Sequence, residues 1–495
     1  MCKHLTDDVY CAFQLAFPTA YVASLNIARS RIAMLSGFKP AMYHCCINSC
    51  CCFTGPHNEA TECPYCHEPR YTASGEARKH FTYLPLIPRL RALYASQSMA
   101  TRMRYRADGH QHVPGEISDI FDSTLYQEML GRHVEIHGRT LPFQYFADTR
   151  DVALGLSTDG FAPFKHRKST CWPIIVFNYN LPPEVRFHLN NIITLAVVPG
   201  PKKPVDMDSF LWPALEEFLQ LEIGICAFDS LSGSLFALHA YLIHVFGDIP
   251  AVSMLMCMKG HNGFCPCRMC NMTGIRIPGG QSTTHYLPLH HSDSQYTVQY
   301  VPDKLPLQTH DEFLKSARAV QAALTKAAAE RLSKECGIKG IPALSHLSSL
   351  DFPHSFPYDF MHLIWENLMK NLILLWTGTF KGLDAGNGSY VIDSTVWDAI
   401  GKATASSGQH IPSCFGARPP NFVSDQSACT ADTWSFWTLY LGPVLLRDRF
   451  AHQKYYTHFV ALVKLLHRCL QFTLNLQEVA EIRQGFIQWV LDYEE

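Results

Sequence analysis

Two apolar runs that each end in an aspartate are the strongest constraint on how this chain can fold. Residues 152–161 and 235–246 are apolar enough to form buried strands. The first run reaches Asp159 just before a glycine, and the second leads through a glycine to Asp248. Such an acid is often only a turn device. Two of them at one edge of a sheet, however, can bind a cation through oxygen.

The segments between the two acids predict the rest of this sheet. Residues 172–179 and 192–199 are strand-like, so together with 152–161 they predict a three-stranded meander. Residues 207–221 predict a helix before the second acid-terminated run. We therefore expect a mixed α/β core with Asp159 and Asp248 at the ends of two strands.

A third acid lies in an apolar segment, 359–376, that predicts a helix. Asp359, His362, Glu366 and Lys370 recur at α-helical spacing and would share one face, while the other residues are mostly apolar. A carboxylate in such surroundings must be paired, hydrogen-bonded or bound to a metal, unless the polar face simply meets water. Three carboxylates brought together repel each other, and Mg²⁺ or Mn²⁺ would relieve that repulsion.

Six blocks of the sequence, taken in order, resemble a known family. They are 156–161 (LSTDGF), 172–183 (WPIIVFNYNLPP), 199–202 (PGPK), 247–251 (GDIPA), 259–262 (KGHN) and 359–367 (DFMHLIWEN). They are similar to the transposases of CACTA elements and of their fungal Kyakuja-Dileera-Zisupton relatives. The resemblance spans about residues 43–441.

This resemblance implies an RNase H-like fold with an acidic triad of two aspartates and a glutamate. Carried over to this chain, the triad is Asp159, Asp248 and Glu366, holding two Mg²⁺ or Mn²⁺ ions for phosphodiester chemistry. Glu330 and Glu335 remain alternatives for the third acid, because they lie in the long region between Asp248 and Glu366. The alanine-rich run 320–332 predicts an exposed helix there.

The cysteines predict a structural metal site near the N-terminus. The chain has 19 Cys but neither a signal-like N-terminal region nor an apolar run long enough for a membrane span. In a reducing compartment clustered cysteines are metal ligands before they are disulfides. Cys46, Cys50, Cys63 and Cys66 form two close pairs that suit a zinc ribbon. The alternative is a set of free buried thiols.

A second cysteine pair, Cys267 and Cys270, follows Asp248. The related transposases combine a similar pair with a Met-His dipeptide, which is matched here by His362. A shared zinc ion would then fix the helix that carries the third acid, with His261 or Cys265 as a fourth ligand. Alternatively, the histidine is an ordinary one that is hydrogen-bonded to Asp359.

Overall charge gives no general attraction to nucleic acid, since the net charge is −2. A basic stretch after the cysteine pairs is interleaved with tyrosines, as in nucleic-acid surfaces; a solvated basic face is the alternative. Its residues are Arg70, Arg78, Lys79, Arg89, Arg91, Arg102, Arg104 and Arg106, with Tyr71, Tyr83, Tyr94 and Tyr105.

The expected fold is an RNase H-like mixed α/β core with a long, mainly helical insertion, preceded by a zinc-ribbon module. The expected units are a leader (1–39), the zinc module (40–71), a partly basic connecting segment (72–150), the first part of the core (151–274), the insertion (275–350) and a helical return (351–495). Residues 455–495 have helical periodicity. They end without a terminating signal, so we expect a shortened C-terminal region.

These expectations predict a cut-and-paste DNA transposase. Its partners would be the terminal repeats of a DNA element and further copies of itself, with no membrane, and it would work in the nucleus. The rival interpretation is an inactive, transposase-derived DNA-binding or scaffold protein. A small-molecule metallohydrolase is disfavoured, because the sequence has no His-Glu-x-x-His motif.

Overall fold

The computed structural model describes residues 7–16, 24–162, 170–276, 286–292, 297–380, 388–416 and 418–495. The strands are β1 (Ala41–His44), β2 (His80–Tyr83), β3 (Glu116–Ile117), β4 (His133–Ile136), β5 (Arg139–Gln144), β6 (Val152–Thr158), β7 (Trp172–Asn178), β8 (Ile193–Val198), β9 (Ile225–Asp229), β10 (Ser234–Leu238), β11 (Ala240–Phe246), β12 (His290–Ser292), β13 (Thr297–Gln299) and β14 (Leu474–Asn475).

The helices surround these strands and dominate the C-terminal part. The α-helices are α1 (Asp7–Ala16), α2 (Leu25–Ser36), α3 (Ile87–Ala95), α4 (Gln97–Arg102), α5 (Thr124–Met129), α6 (Pro183–Arg186), α7 (Met207–Ile223), α8 (Ile249–Leu255), α9 (His310–Gln321), α10 (Lys326–Cys336), α11 (Met369–Trp376), α12 (Ser394–Ser407), α13 (Ala431–Phe436), α14 (Gly442–Leu445), α15 (Gln453–Cys469) and α16 (Leu476–Glu494). Wider π-helical turns cover Tyr105–Gly109, Met361–Leu368 and Trp437–Leu441. No helix among the described residues is both long and apolar enough to cross a membrane.

A six-stranded mixed sheet with the order β1-β2-β8-β7-β6-β11 forms the centre of the protein. Strands β6, β7 and β8 make the predicted antiparallel meander. Helix α7, also predicted, lies between β8 and β11 in the chain, and β11 pairs with β6 in parallel. The prediction of a mixed α/β core is confirmed.

The second acid-terminated run is not one strand, as its apolar character had suggested. Residues 234–238 form β10 in a hairpin with β9, and only β11 joins the large sheet. The break falls at His239, whose carbonyl accepts from the Val152 N–H at 3.0 Å and whose ring lies 3.2 Å from the Asp151 carboxylate. This anchor turns the chain from the hairpin into the sheet.

Both faces of the sheet are covered, which explains why its strands are continuously apolar. Helix α7 packs Phe210, Leu215 and Phe218 into a core that includes Leu154 and Val176. On the other face, the Tyr241 and Ile243 side chains of β11 pack in a second cluster around the β4–β5 hairpin.

The segment expected as an insertion is partly integrated into this core. Phe313 and Ala317 of α9 are buried in the same cluster as the sheet residues. The prediction of a single helix over 320–332 is wrong, because α9 ends at Gln321 and α10 begins at Lys326 with Thr325 as its N-cap. Residues 277–285 and 293–296 of the expected insertion, like 1–6 and 17–23 of the expected leader, lie outside the described residues.

The C-terminal helices have a hydrophobic core of their own, which contains Trp434, Trp437 and Phe459. The predicted helical stretch 455–495 is two helices, α15 and α16. They are separated by a turn in which Asn475 and Glu478 form a capping box.

Glu222, near the end of α7, is a fully buried carboxyl group. Neither of its side-chain oxygens has a hydrogen-bond partner among the described residues. Burial raises its pKa to about 7, and nearby Ser349 opposes the rise only in part. A buried charge without partners is costly, so the folded protein favours the protonated form.

We expect this carboxyl group to make stability fall as pH rises. The pKa of Glu222 in the folded protein lies above its value in the unfolded chain, so the carboxyl group ionises first in the unfolded chain as pH rises. The free energy of unfolding therefore falls from about pH 4.5 to above pH 7. Replacement by glutamine in Glu222→Gln should remove about 2–3 kcal/mol of this pH dependence. Chemical denaturation at pH 4.5 and pH 8 measures it.

The matched control is Glu216→Gln, which alters an exposed carboxylate on the same helix. It should keep the pH dependence of the wild type. An unchanged slope in Glu222→Gln would contradict the assignment of the buried charge.

Candidate metal centres

The two predicted aspartates end neighbouring parallel strands at the same edge of the sheet. In the pairing of β6 with β11, the last pair is Ser157 with Phe246. Asp159 lies two residues beyond Ser157, and Asp248 lies two residues beyond Phe246. The edge therefore presents Asp159 and Asp248 side by side, which we call the acidic edge. The apolar runs had predicted an acid at the end of each of two strands, but not that these strands are parallel neighbours.

Gly247 allows the two strands to remain close up to the acids. A Cβ atom at this position would lie 2.6 Å from the carbonyl oxygen of Thr158. Any larger residue would push β11 away from β6, so the glycine before Asp248 is a packing requirement rather than only a turn signal.

The charges at the acidic edge repel each other. Burial, followed by the neighbouring charge of Asp248, raises the pKa of the Asp159 carboxyl; the Gly160 N–H at 2.6 Å and His362 oppose the rise. Asp248 also has a structural role, since its Oδ1 accepts from the Ala251 N–H at 2.6 Å as the N-cap of α8. Paired carboxylates under mutual repulsion are a donor set that suits a hard divalent cation.

The polar residues of segment 359–376 make two contacting pairs. His362 Nδ1 lies 2.6 Å from Asp359 Oδ2, and Lys370 is paired with Glu366. The segment contains the wider π-helical turn Met361–Leu368, so its residues do not follow the α-helical spacing from which a single polar face was predicted.

The start of this helix lies close enough to the acidic edge for its charges to act on Asp159. Besides Asp248, the side-chain charges acting on the Asp159 pKa are His362 and Asp359. Among the described residues, the three predicted acids do not form a group with ligand atoms within 4.8 Å of one another. The alternatives Glu330 and Glu335 are exposed on α10.

The structure brings the four predicted cysteines together. The sulfur atoms of Cys46, Cys50, Cys63 and Cys66 all lie within 4.8 Å of one another, and three of these residues are buried. Sulfur ligands at Zn–S distances of about 2.3 Å on a tetrahedron are about 3.8 Å apart. The group can therefore hold a metal such as zinc with little rearrangement.

Without a metal, the pKa values of these thiols are shifted in different directions. Burial raises the pKa of Cys46 and Cys50. At Cys66 burial acts in the same direction, but hydrogen bonds from the Glu68 N–H, Asn48 and neighbouring thiols lower the pKa to about 7. Binding of a cation would favour the thiolate form of all four.

The segment that carries the four cysteines, residues 45–71, is part of the core rather than a separate ribbon, and we call it the cysteine module. Strands β1 and β2, which flank it in the chain, extend the large sheet. His57 and Tyr65 of the module bind Asp206 Oδ2 at 2.7 and 3.0 Å. Asp206 is also the N-cap of α7, accepting from the Ser209 N–H at 3.1 Å. Sequence reasoning missed this contact, although an aspartate before a helix is a recognisable N-cap signal.

The second cysteine pair lies beside the segment that leads into the π-helical turn. Hydrogen bonds from the Cys270 thiol and then from Tyr358 lower the pKa of Cys267 to about 6, against the effect of burial. The Tyr358 oxygen is 3.3 Å from Cys267 Sγ. No group of three ligand atoms that includes His362 lies within 4.8 Å in the described part of the chain.

The two candidate fourth ligands of this pair are placed differently from each other. Cys265 donates its thiol to the Glu335 carbonyl at 2.9 Å, and His261 is exposed.

The basic stretch is mostly used inside the protein. Arg106 is buried and donates to the carbonyls of Asp148 and Asp151, and Arg89 donates to those of Leu84, Pro85 and Thr194. Arg70, Arg78, Lys79 and Arg104 also have intramolecular partners. Six of the eight basic residues therefore have partners within the protein, and of these six Arg106 is buried. Of the eight basic residues, Arg91 and Arg102 are exposed.

We expect the purified protein to hold zinc in the four-cysteine site. Because metal binding would supply folding free energy, Cys63→Ser should lose about one equivalent of zinc and unfold the cysteine module. Elemental analysis measures the zinc, and limited proteolysis near residues 46–66 reports the unfolding.

Cys51→Ser is the matched control. Cys51 is as deeply buried as Cys63, and the sulfur atoms of the two residues lie 3.8 Å apart, but Cys51 does not belong to the group of four. It should retain its zinc. Equal zinc in wild type and Cys63→Ser would rule out the site.

The central part of the chain matches the sequence model of a known protein family. Residues 138–299, about a third of the sequence, match the transposase family tnp2. The match includes Asp159, Asp248 and the Cys267/Cys270 pair, but neither the four-cysteine site nor Glu366. No curated protein matches the chain. The segment that contains the acidic edge is thus similar to a transposase family.

Proposed function

We propose that the protein is a DNA transposase whose acidic edge binds the catalytic metal ions. One observation carries the proposal: Asp159 and Asp248 end adjacent parallel strands within the segment that matches the transposase family tnp2. An acid pair at one sheet edge is the donor set that metal-assisted phosphodiester chemistry requires.

The topology supports an RNase H-like core. An antiparallel meander (β6, β7, β8), a crossover helix (α7) and a strand parallel to the first strand of the meander (β11) follow in this order, with the β9–β10 hairpin between α7 and β11. The resemblance to CACTA-type transposases led us to expect this core, and the apolar runs led us to expect an acid at the end of each of two strands. We extend that subfamily assignment to this chain as part of the proposal.

In the proposed site Asp159 and Asp248 hold Mg²⁺ or Mn²⁺, with Glu366 as the third acid. Bound ions of this kind activate water or a 3′-hydroxyl and stabilise the leaving oxygen in an in-line displacement. Gly247 permits the close packing of β6 and β11 that places the two aspartates at neighbouring strand ends. Glu366 is paired with Lys370, so it must leave that partner before it can reach the acidic edge.

The substrate would be the terminal repeats of a DNA element, cut and joined by a cut-and-paste reaction in the nucleus. Exposed Arg91 and Arg102 are available for phosphate contacts. Copies of the chain would assemble as a homo-oligomer to hold two DNA ends.

A second candidate function is an inactive, transposase-derived scaffold. It is favoured by the pairing of Glu366 with Lys370 and by the basic residues that are bound within the protein. The two functions make opposite predictions about DNA cleavage, so one assay separates them.

We expect Asp159→Asn and Asp248→Asn to lower Mg²⁺-dependent cleavage of element-end DNA by about 100-fold or more, because each loses a charged metal ligand. Asparagine caps a helix as well as aspartate does, so Asp248→Asn should preserve α8. Cleavage and DNA affinity are measured on the same preparations, and affinity should be unchanged.

The matched control is Asp393→Asn, which alters the N-cap of α12 away from the acidic edge. It should cleave like wild type. Full activity in either acidic-edge variant would reject the mechanism. Absence of cleavage by wild type, with DNA binding retained, would favour the scaffold.

We also propose that Cys267, Cys270 and His362 share a structural zinc ion next to the acidic edge. Asp359 holds His362 Nδ1, so the other ring nitrogen is left for a metal. Cys270→Ser should then lose a second equivalent of zinc and cleave at least about tenfold more slowly, with DNA affinity unchanged. The control is Cys226→Ser, which alters an exposed cysteine on β9 and should keep the zinc content and cleavage of wild type. Zinc content equal to wild type in Cys270→Ser would exclude the shared ion.

A further inference from the structure

We propose that Lys203 binds a phosphate of the DNA backbone beside the acidic edge. The inference rests on the proposed function, because it names the surface that would hold the nucleic-acid substrate of Asp159 and Asp248. It comes from the loop 199–206, which connects β8 to α7 and reaches the acidic edge through Trp172.

A polyanionic substrate needs cations at this place. The carboxylates of Asp159 and Asp248 repel phosphate, and proteins bind the DNA backbone mainly through Lys and Arg side chains. Six of the eight residues of the basic stretch are already bound within the protein. A phosphate at the acidic edge must therefore find its cation in another part of the structure.

Trp172 connects the acidic edge to the loop 199–206. The Phe161 N–H donates to the Cys171 carbonyl at 3.1 Å, and the Cys171 N–H donates to the Phe161 carbonyl at 2.9 Å. The antiparallel pairing of β6 with β7 is thus resumed beyond Asp159. The indole of Trp172 lies directly against Gly160, because a Cβ atom at this glycine would overlap the ring. The ring is therefore in contact with the residue that follows Asp159.

Lys203 covers this indole. Its Nζ lies 5.3 Å from the centre of the Trp172 ring, a distance at which an aromatic face attracts a cation. Within the described part of the chain, the ammonium group makes neither a hydrogen bond nor an ion pair. The residue is exposed, as is Lys202. The aromatic face thus holds the charge near Asp159 and leaves its N–H donors for an anion from outside.

The loop is anchored on both sides of Lys203 by the cysteine module. Before the lysine, the Gly200 carbonyl accepts from Ser49 Oγ at 2.6 Å. After it, the Val205 N–H donates to the Cys50 carbonyl at 3.0 Å. These bonds restrict the loop, so the ammonium group is presented at a defined place beside the acidic edge.

The chemistry of this surface suits a backbone phosphate rather than a base. A lysine ammonium is a compact point charge that binds phosphate without the planar geometry that base recognition uses. Phosphate contacts position a protein on DNA and carry no direct sequence information. The contact should therefore be independent of sequence and lie next to the bond that the acidic edge would cleave.

The test is binding of fluorescein-labelled duplex DNA of arbitrary sequence to the zinc-loaded full chain, measured by fluorescence anisotropy at several KCl concentrations without added Mg²⁺. Lys203→Met removes the charge but keeps an apolar chain over Trp172. It should raise the Kd at least about fivefold at low salt and lower the slope of log Kd against log salt by about one. Lys203→Arg should stay within about twofold of wild type, because arginine keeps the charge and also stacks on aromatic rings.

Lys454→Met is the control. Lys454 is also exposed, and its Nζ lies 5.2 Å from the centre of an aromatic ring, that of Tyr455, but it belongs to α15 in the C-terminal helical unit. This variant should keep the affinity and the salt dependence of wild type.

Wild-type affinity and salt dependence in Lys203→Met would overturn this inference. That result would mean that the lysine only compensates Asp248, whose charge acts on it. The proposed function would still stand if Asp159→Asn had lost cleavage. Undiminished cleavage by Asp159→Asn, with weaker DNA binding by Lys203→Met, would reject the metal mechanism but keep the phosphate contact. Absence of DNA binding by wild type would overturn both.

Discussion

The parallel pairing of β6 with β11 is the constraint on which the rest of the structure depends. An antiparallel neighbour would place its terminal acid at the opposite edge, whereas parallel strands end together. The pairing requires a crossover connection, which α7 provides, and an unobstructed contact at Gly247. Every candidate role for the two aspartates follows from this one register.

Helix α7 is held at its start by the cysteine module. Asp206 joins the helix N-cap to His57 and Tyr65, and Cys52 and Thr54 bond to Ser209 in the first turn. A metal among the four cysteines would thus stabilise more than its own loops, because the same module anchors the helix that returns the chain to the sheet. The structural metal and the acidic edge are connected through one helix.

The sequence predicted the strands, the crossover helix and the four-cysteine group because each has a strong local signal. Strands buried on both faces give continuous apolar runs, and the cysteine spacing is distinctive. The break at His239 was missed because both flanking strands are apolar. The internal bonds of the basic stretch could not be predicted, because Arg89 and Arg106 bond to carbonyls remote in sequence, such as those of Thr194 and Asp148. The positions of Asp159 and Asp248 at strand ends could be predicted from the sequence, but the π-helical turn Met361–Leu368 could not, since its apolar pattern is the same as that of an α-helix.

Residues 349–355 do more than lead to the helical C-terminal unit. Strand β11 is the last strand of the sheet, and an uncovered outer strand offers free N–H and C=O groups to other chains. The bonds from Ser349 Oγ to the Leu242 carbonyl and from the Val245 N–H to the Ser355 carbonyl, both 2.8 Å long, occupy the outer side of β11. A fragment that ended before residue 349 would leave this strand edge open to intermolecular pairing. The covering of the outer strand thus depends on a stretch of chain about a hundred residues further along the sequence.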